Sequence, residues 1–266
     1  MGTVTFLSDY GLDDDFVGVC HAVIARIAPQ ARVIDLTHGI PRHDIRTGAL
    51  TLARALPYAP PGVHLAVVDP EVGAERRAVA VRCAEDDRIL VGPDNGVLMP
   101  AAAALGGAVE AVDIARSPHR LEPLAATFHG RDLFAPVAAH LVAGAALGGA
   151  GDPLPVEELV TLKLPVAVVA DGRIEAHAVA VDSFGNVQLD VSHEQVSGTG
   201  LRLGHALLAN GRRAQFARTF AEVGAGDLLL YEDAYRTLAL AINRGSAAER
   251  LGLALDAPVV LEPAGA

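Results

Sequence analysis

Tryptophan is absent from this chain of 266 residues, aromatics make up 4% of it, and only two cysteines occur, Cys20 and Cys83. The core is therefore built from Ala, Val and Leu, and two cysteines make neither a disulfide framework nor a metal cluster. A reducing cytoplasm is the expected setting. Positive charge is also short: 21 Lys and Arg face 32 Asp and Glu, for a net charge of −11 and a pI near 5.3. That balance excludes a nucleic acid gripped through its phosphates and suits a cationic small molecule. No apolar run is long enough to cross a bilayer, since the most apolar stretch, residues 137–150, is short, rich in Ala and Gly and contains His140. No basic leader or apolar stretch of signal length precedes Ser8, so neither secretion nor membrane insertion is expected. Phosphate-loop, Gly-x-Ser-x-Gly, His-Glu-x-x-His and Cys-x-x-Cys signatures are missing too, which leaves metal dependence without positive support.

What is present is apolar content of 51% and a mean hydropathy of +0.34, enough for a sizeable core in one or two domains. Over the first 150 residues, short β-branched runs alternate with helical spacing. Strands are expected at 3–7, 32–36, 63–68, 78–83 and 89–91, and helices at 17–27, 44–56, 96–105 and 132–147. Val17, Cys20, Val23, Ile24 and Ile27 share one helical face, and Pro29 ends that helix. This pattern implies an α/β domain, 1–150, with a mostly parallel sheet covered by helices. Residues 151–165 read as a linker because Gly151 and Pro153 change the composition. Beyond it, residues 166–266 read as an all-β barrel domain with strands at 166–170, 174–181, 187–189, 205–208, 227–230, 237–242 and 258–261. Asp171-Gly172 supplies the first hairpin turn.

Four polar clusters interrupt this apolar pattern. Asp9 follows the first strand, with Asp13, Asp14 and Asp15 placed to cap the next helix. Asp69 ends the third strand, with Arg76 seven residues later. His129 lies beside Gly130, with Asp132 where a helix begins. Asp182, Phe184 and Asn186 sit between two strands of the second domain. In open α/β sheets, ligands bind beyond the carboxyl ends of strands, which makes Asp9 and Asp69 candidates. Each cluster taken singly reads equally as a turn or a cap.

Taken in order, the clusters resemble the S-adenosylmethionine (SAM) hydroxide adenosyltransferases, or SAM hydrolases, whose fold is shared with SAM-dependent fluorinase and chlorinase. The runs that carry the resemblance are Phe6-Leu7-Ser8-Asp9-Tyr10-Gly11, Val67-Val68-Asp69-Pro70 with Arg76-Arg77, and Gly92-Pro93-Asp94-Asn95-Gly96. Thr127-Phe128-His129-Gly130-Arg131-Asp132, Phe184-Gly185-Asn186 and Ile242-Asn243-Arg244-Gly245-Ser246-Ala247 complete the set, which extends over nearly the whole chain.

The resemblance implies hydrolysis of SAM to adenosine and L-methionine by water attacking the ribose C5′, with SAM as substrate and no cofactor. It further implies a homotrimer with its sites at subunit interfaces. Asp69, Arg76 and His129 then form the catalytic trio. Asp9 holds the ribose diol, Asp14 lies near the methionine amino group, and Phe128, Asp182, Phe184, Asn186 and Tyr235 join the substrate-binding set. Arg76 beside Asp69 leaves the carboxylate able to accept a hydrogen bond from water. His129 either fixes that water or takes up its proton. Glu71, Leu189-Asp190 and Ala234 depart from the family's usual residues. Two other readings stay open: a SAM- or adenosine-binding module without turnover, and a SAM-dependent halogenase.

Overall fold

A computed structural model describes residues 2–197 and 199–264. The chain forms two compact units that divide between Leu162 and Lys163. The first contains β1 (Thr3–Ser8), α1 (Phe16–Ile27), β2 (Arg32–Thr37), α2 (Ile45–Ala55), β3 (Val63–Val67), β4 (Ala78–Cys83), β5 (Ile89–Pro93), α3 (Met99–Ala104), β6 (Ala108–Asp113), α4 (Ala135–Val142) and β7 (Asp152–Leu154). Its seven strands run in the order β2-β1-β3-β5-β4-β6-β7. The β2-β1-β3-β5 part is parallel, and β4, β6 and β7 pair antiparallel.

The sheet is buried on both faces, which is why every residue of β3 is buried and all but His64 are apolar, with no polar alternation. Successive side chains still leave on opposite sides. Leu65 and Val67 pack with Ile24, Phe134 and Val137, whereas Ala66 and Val68 pack with Leu52, Leu98 and Ala101. Close approach requires glycine at two points in this layer. A Cβ on Gly92 would lie 2.3 Å from the Ala66 carbonyl oxygen, and one on Gly48 would lie 2.9 Å from a Val68 methyl.

Several boundaries differ from expectation for local reasons. Gly96 has φ +95°, so the third helix starts only at Met99, and Gly144 at φ +105° follows the early end of α4. Residues 130–134 form a π turn ahead of α4. The expected linker is not a free connection: β7 pairs with β6, and Leu154 and Leu159 pack on the core. Pro153 is tolerated there because β7 is the sheet edge. Glu110 in β6 and the short, proline-containing β7 explain why neither reads as an apolar strand.

The second unit contains β8 (Val168–Ala170), β9 (Arg173–Val181), β10 (Val187–Ser192), β11 (Ala206–Ala209), β12 (Arg212–Phe216), β13 (Leu228–Glu232), β14 (Thr237–Ile242), α5 (Ala247–Leu251) and β15 (Pro258–Pro263). Its order is β10-β14-β13-β12-β11-β15-β9, and a β9–β10 pairing closes these seven strands into a barrel while β8 extends from β9. Ile174, Ala176 and Ala178 show the inward alternation of β9. Asp171 and Gly172 take φ +51° and +76° in the expected tight turn. Arg212, Arg213 and Gln215 mask β12, whose Ala214 and Phe216 alone are buried. Asn210-Gly211, with φ +47° and +74°, was the available hairpin signal. Among the described residues, no helix is long and apolar enough to cross a membrane.

Candidate active site

Parallel pairing of β1 with β3 brings two strand ends together: Ser8 pairs with Val67, so Asp9 and Asp69 follow neighbouring strands at one edge of the sheet. The Asp9 N–H donates to the Val67 carbonyl at 3.4 Å, and Asp9 Oδ2 accepts the His43 N–H at 2.9 Å. Behind Asp69, Asn95 Nδ2 donates to the Val68 carbonyl at 2.8 Å and braces the end of β3.

Arg76 joins the trio. Its Nε donates to Asp69 Oδ1 at 2.9 Å and its terminal nitrogen to Asp69 Oδ2, and that same nitrogen lies 2.8 Å from His129 Nδ1. The side chains of Arg76 and Asp69 are each 5% exposed, and the guanidinium sits 5.3 Å from the centre of the Phe134 ring. A guanidinium can only donate, so His129 Nδ1 accepts and the ring carries its hydrogen on Nε2. Burial and the Arg76 charge hold the His129 imidazolium below its ordinary pKa, against weaker opposition from Asp69 and Asp132. The imidazole is therefore neutral at pH 7.

These groups border a cavity of about 430 Å³, lined among others by Asp9, Asp69, Tyr10, Phe16, Phe128 and His129. Tyr10, Phe16 and Phe128 form its aromatic wall through edge-to-face contacts with centroids 5.1–6.0 Å apart. Burial first, then the Cys20, Asp69 and Asp9 charges, pushes the Tyr10 hydroxyl well above its ordinary value, so it stays protonated. A Cβ on Gly130 would lie 2.1 Å from Tyr10 Oη, so the glycine beside His129 makes room for that ring. Sequence reasoning missed Tyr10 and Phe16 as wall residues. Phe16 stands at the first position of α1 and is 40% exposed.

The other candidates divide. Phe128 joins the site, but Asp14 is exposed and does not line the cavity. Asp15 precedes α1 without a side-chain cap bond, which corrects the capping expectation for that run. Asp132 is no cap either. It is buried and accepts from the Ala125 N–H at 2.9 Å and from Arg131. Burial would raise its carboxyl, yet the Arg131 and Ala125 bonds outweigh this and hold it below its ordinary value. Glu71, adjacent to the trio in sequence, is exposed on the turn after Asp69.

Asp182, Phe184, Asn186 and Tyr235 belong to the second unit. Asp182 accepts from the Phe184 N–H, the Asn186 N–H and Asn186 Nδ2 at 2.8–2.9 Å, forming a closed turn. That turn presents Phe184 at 78% exposure, and Tyr235 is 44% exposed. Asp190 at the departing Leu189-Asp190 pair is used internally, accepting the His177 N–H at 2.6 Å and contacting His177 Nδ1 at 2.9 Å.

Residues 4–151 match the SAM hydroxide adenosyltransferase N-terminal domain, and residues 176–260 match the C-terminal domain of the same family. The chain belongs to the SAM hydroxide adenosyltransferase family. Two relatives of this SAM hydroxide adenosyltransferase family member are named (R)-S-adenosyl-L-methionine hydrolase. The Salinispora tropica protein is 47% identical over 94% of both chains, and the Thermus thermophilus protein is 42% identical over 98% of this chain and 100% of its own. The fluorinase of Actinopolyspora mzabensis is more distant, at 27% over 92% of both chains. A crystal structure of an uncharacterized conserved protein from Thermotoga maritima is 34% identical, with a TM-score of 0.90 over 97% of this chain and 99% of that one.

Proposed function

We propose that this chain hydrolyses S-adenosyl-L-methionine to adenosine and L-methionine by attack of water on the ribose C5′. The observation that carries the reading is Arg76, which joins Asp69 to His129 beside a cavity of substrate-sized volume. The water oxygen bonds to C5′ as the C5′–S bond breaks. The electron pair passes to sulfur, giving the neutral thioether of methionine, and one proton is released. A sulfonium leaves readily, so the obstacle is to hold a weak nucleophile in line with the bond that breaks. Orientation of that kind supplies about 7–11 kcal/mol in favourable cases.

Asp69 is the acceptor that aims the water: both oxygens are pinned by Arg76, and each keeps a second lone pair for a water hydrogen. His129 has its Nδ1 occupied by Arg76 and already carries hydrogen on Nε2. It therefore donates to the water oxygen rather than taking its proton. The water is positioned first and loses its proton late. Asp9 receives the ribose hydroxyls, and the aromatic wall excludes bulk solvent.

Family membership extends the reading to parts of the ligand beyond the trio. Asp14 faces the methionine ammonium, Phe184, Asn186 and Tyr235 grip adenine with Asp182 holding the turn of Phe184 and Asn186, and the working assembly is a cytoplasmic homotrimer. The names of the relatives specify the R configuration at sulfur, and we assign the same epimer preference to this chain. Binding without turnover is the weaker reading, because Glu71 is exposed and Asp190 is engaged by His177. Halogenation is weaker still, since the fluorinase is 27% identical against 42–47% for the hydrolases.

Chromatography of each SAM epimer incubated with pure protein is expected to show equimolar adenosine and methionine, faster from the R epimer, with ¹⁸O from labelled water in the 5′-hydroxyl. Unchanged SAM over hours would sink the hydrolase reading, and unlabelled adenosine would sink water attack at C5′. Sedimentation velocity tests the trimer, and a monomer with full activity would remove it.

A further inference from the structure

We propose that His21, Asp35 and His38 form a binding site for one divalent transition-metal ion on the first unit, outside the cavity described above. The three residues come from different elements: His21 from α1, Asp35 from β2, and His38 from the turn directly after β2. His21 Nε2 lies 2.8 Å and His38 Nε2 3.0 Å from the same oxygen, Asp35 Oδ1, and the three donor atoms all lie within 4.8 Å of one another. In a tetrahedral zinc site with bonds of about 2.0–2.2 Å, neighbouring donor atoms sit about 3.3 Å apart, so small rotations of these side chains reach that geometry.

Ordinary hydrogen bonding leaves this cluster incompletely explained. His38 has a side chain only 2% exposed, and its Nε2 is close to Asp35 Oδ1 but makes no aligned hydrogen bond. A buried polar nitrogen without an aligned partner is unfavourable, and a cation accepting its lone pair relieves that. The other ring nitrogen is already oriented: His38 Nδ1 is 2.7 Å from Ser8 Oγ, which in turn accepts the Tyr10 N–H at 3.3 Å. A metal-bound histidine is commonly held in this way by a partner on its second nitrogen, which sets the tautomer. Phe6 packs edge-on against the His38 ring at 4.7 Å and fixes its plane.

Two imidazoles and a carboxylate suit zinc or cobalt better than calcium or magnesium, which prefer all-oxygen shells. His21 and Asp35, 35% and 41% exposed, leave an open side on which water completes the coordination. The His38 carbonyl also accepts the Gly11 N–H at 2.8 Å, so the cluster braces both sides of the turn that carries Asp9 and Tyr10. The metal is a clamp under that turn and takes no part in the C5′ chemistry.

The test is equilibrium dialysis of the tag-free full chain against micromolar zinc, with cobalt absorption as a second readout and no SAM present. Its outcome is therefore separate from that of the hydrolase reading. About one equivalent of zinc per chain is expected, with the visible bands of a cobalt ion of low coordination number. His21→Ala, on the exposed side, removes both signals while circular dichroism stays unchanged. Ser8→Ala weakens binding about tenfold. His119→Gln, in the stacked pair His119 and His140, leaves binding unchanged. Absence of wild-type binding up to 100 μM zinc, wild-type binding by His21→Ala, or loss of binding in His119→Gln would each overturn the proposal.

Discussion

Asp69 in the first unit and Asp182 in the second both follow a strand, and both are held by hydrogen bonds, but their partners differ in reach. Asp182 is satisfied by residues two and four positions ahead of it, all in one turn. Asp69 is satisfied by a side chain seven positions ahead, which in turn contacts a histidine 53 residues further on. A carboxylate closed on its own backbone shapes a loop, whereas one held by a distant cation keeps lone pairs beside a cavity. The contrast follows from architecture. Neighbouring parallel strands end at the same edge, so β1 and β3 gather residues distant in sequence, while each antiparallel hairpin of a barrel returns locally.

Neutralising each aspartate in turn separates the two roles most clearly. Asp69→Asn is expected to lower kcat for SAM about a thousandfold, with a lower melting temperature as well because the buried Arg76 charge loses its counter-ion. Asp182→Asn leaves kcat within twofold. Equal kcat losses from the two would erase the distinction. Arg76→Lys comes next, at about a hundredfold in kcat, because an ammonium cannot form the two-pronged bond to Asp69 and reach His129 as well. A variant retaining wild-type kcat would show that a point charge suffices.

Asp182→Ala removes three acceptor contacts and is expected to cost about 1–2 kcal/mol in urea unfolding, with the loss seen in stability rather than kcat. No change in the unfolding midpoint would mean that the turn holds itself. The smallest effect at neutral pH concerns His129. Its pKa is lowered from 6.5, so kcat/KM should be flat through pH 7 and fall only once pH drops below the ordinary histidine range. There, protonation sets an Nδ1–H against the Arg76 N–H. An acid limb centred above 6.5 would contradict this assignment.

Much of the element pattern was legible because periodicity reports burial. The residues 78–83 and 237–242 appear as β4 and β14 with those bounds, and the helix over 44–56 appears as α2, flanked by its cap Asp44 and a short 3-10 turn. What escaped notice was strand structure lacking an apolar pattern, as in β6, β7 and β12. Pairing across the sheet stabilises those segments, and local sequence carries no record of it. α5 had a readable start, Ser246 accepting the Glu249 N–H at 3.1 Å, and a readable stop at Gly252 with φ +63°. At five residues it was too short for periodicity to reveal. In the site, Asp69, Arg76 and His129 stood out through their joint resemblance to a family, since each alone reads as a turn residue or a structural side chain. Tyr10 and Phe16 did not stand out, because nothing local distinguishes a cavity wall from a core.

Arg76 and Arg77 show where local sequence stops and the fold takes over. The sequence determined that two guanidiniums precede β4 and that several carboxylates follow other strands. Which pairs with which was decided in three dimensions: Arg76 turns to Asp69 and His129, while Arg77 donates to Asp94 at 2.8 Å and to Glu158. Adjacent side chains on extended backbone leave on opposite sides, so a shift of one residue in register would exchange the catalytic arginine for the structural one.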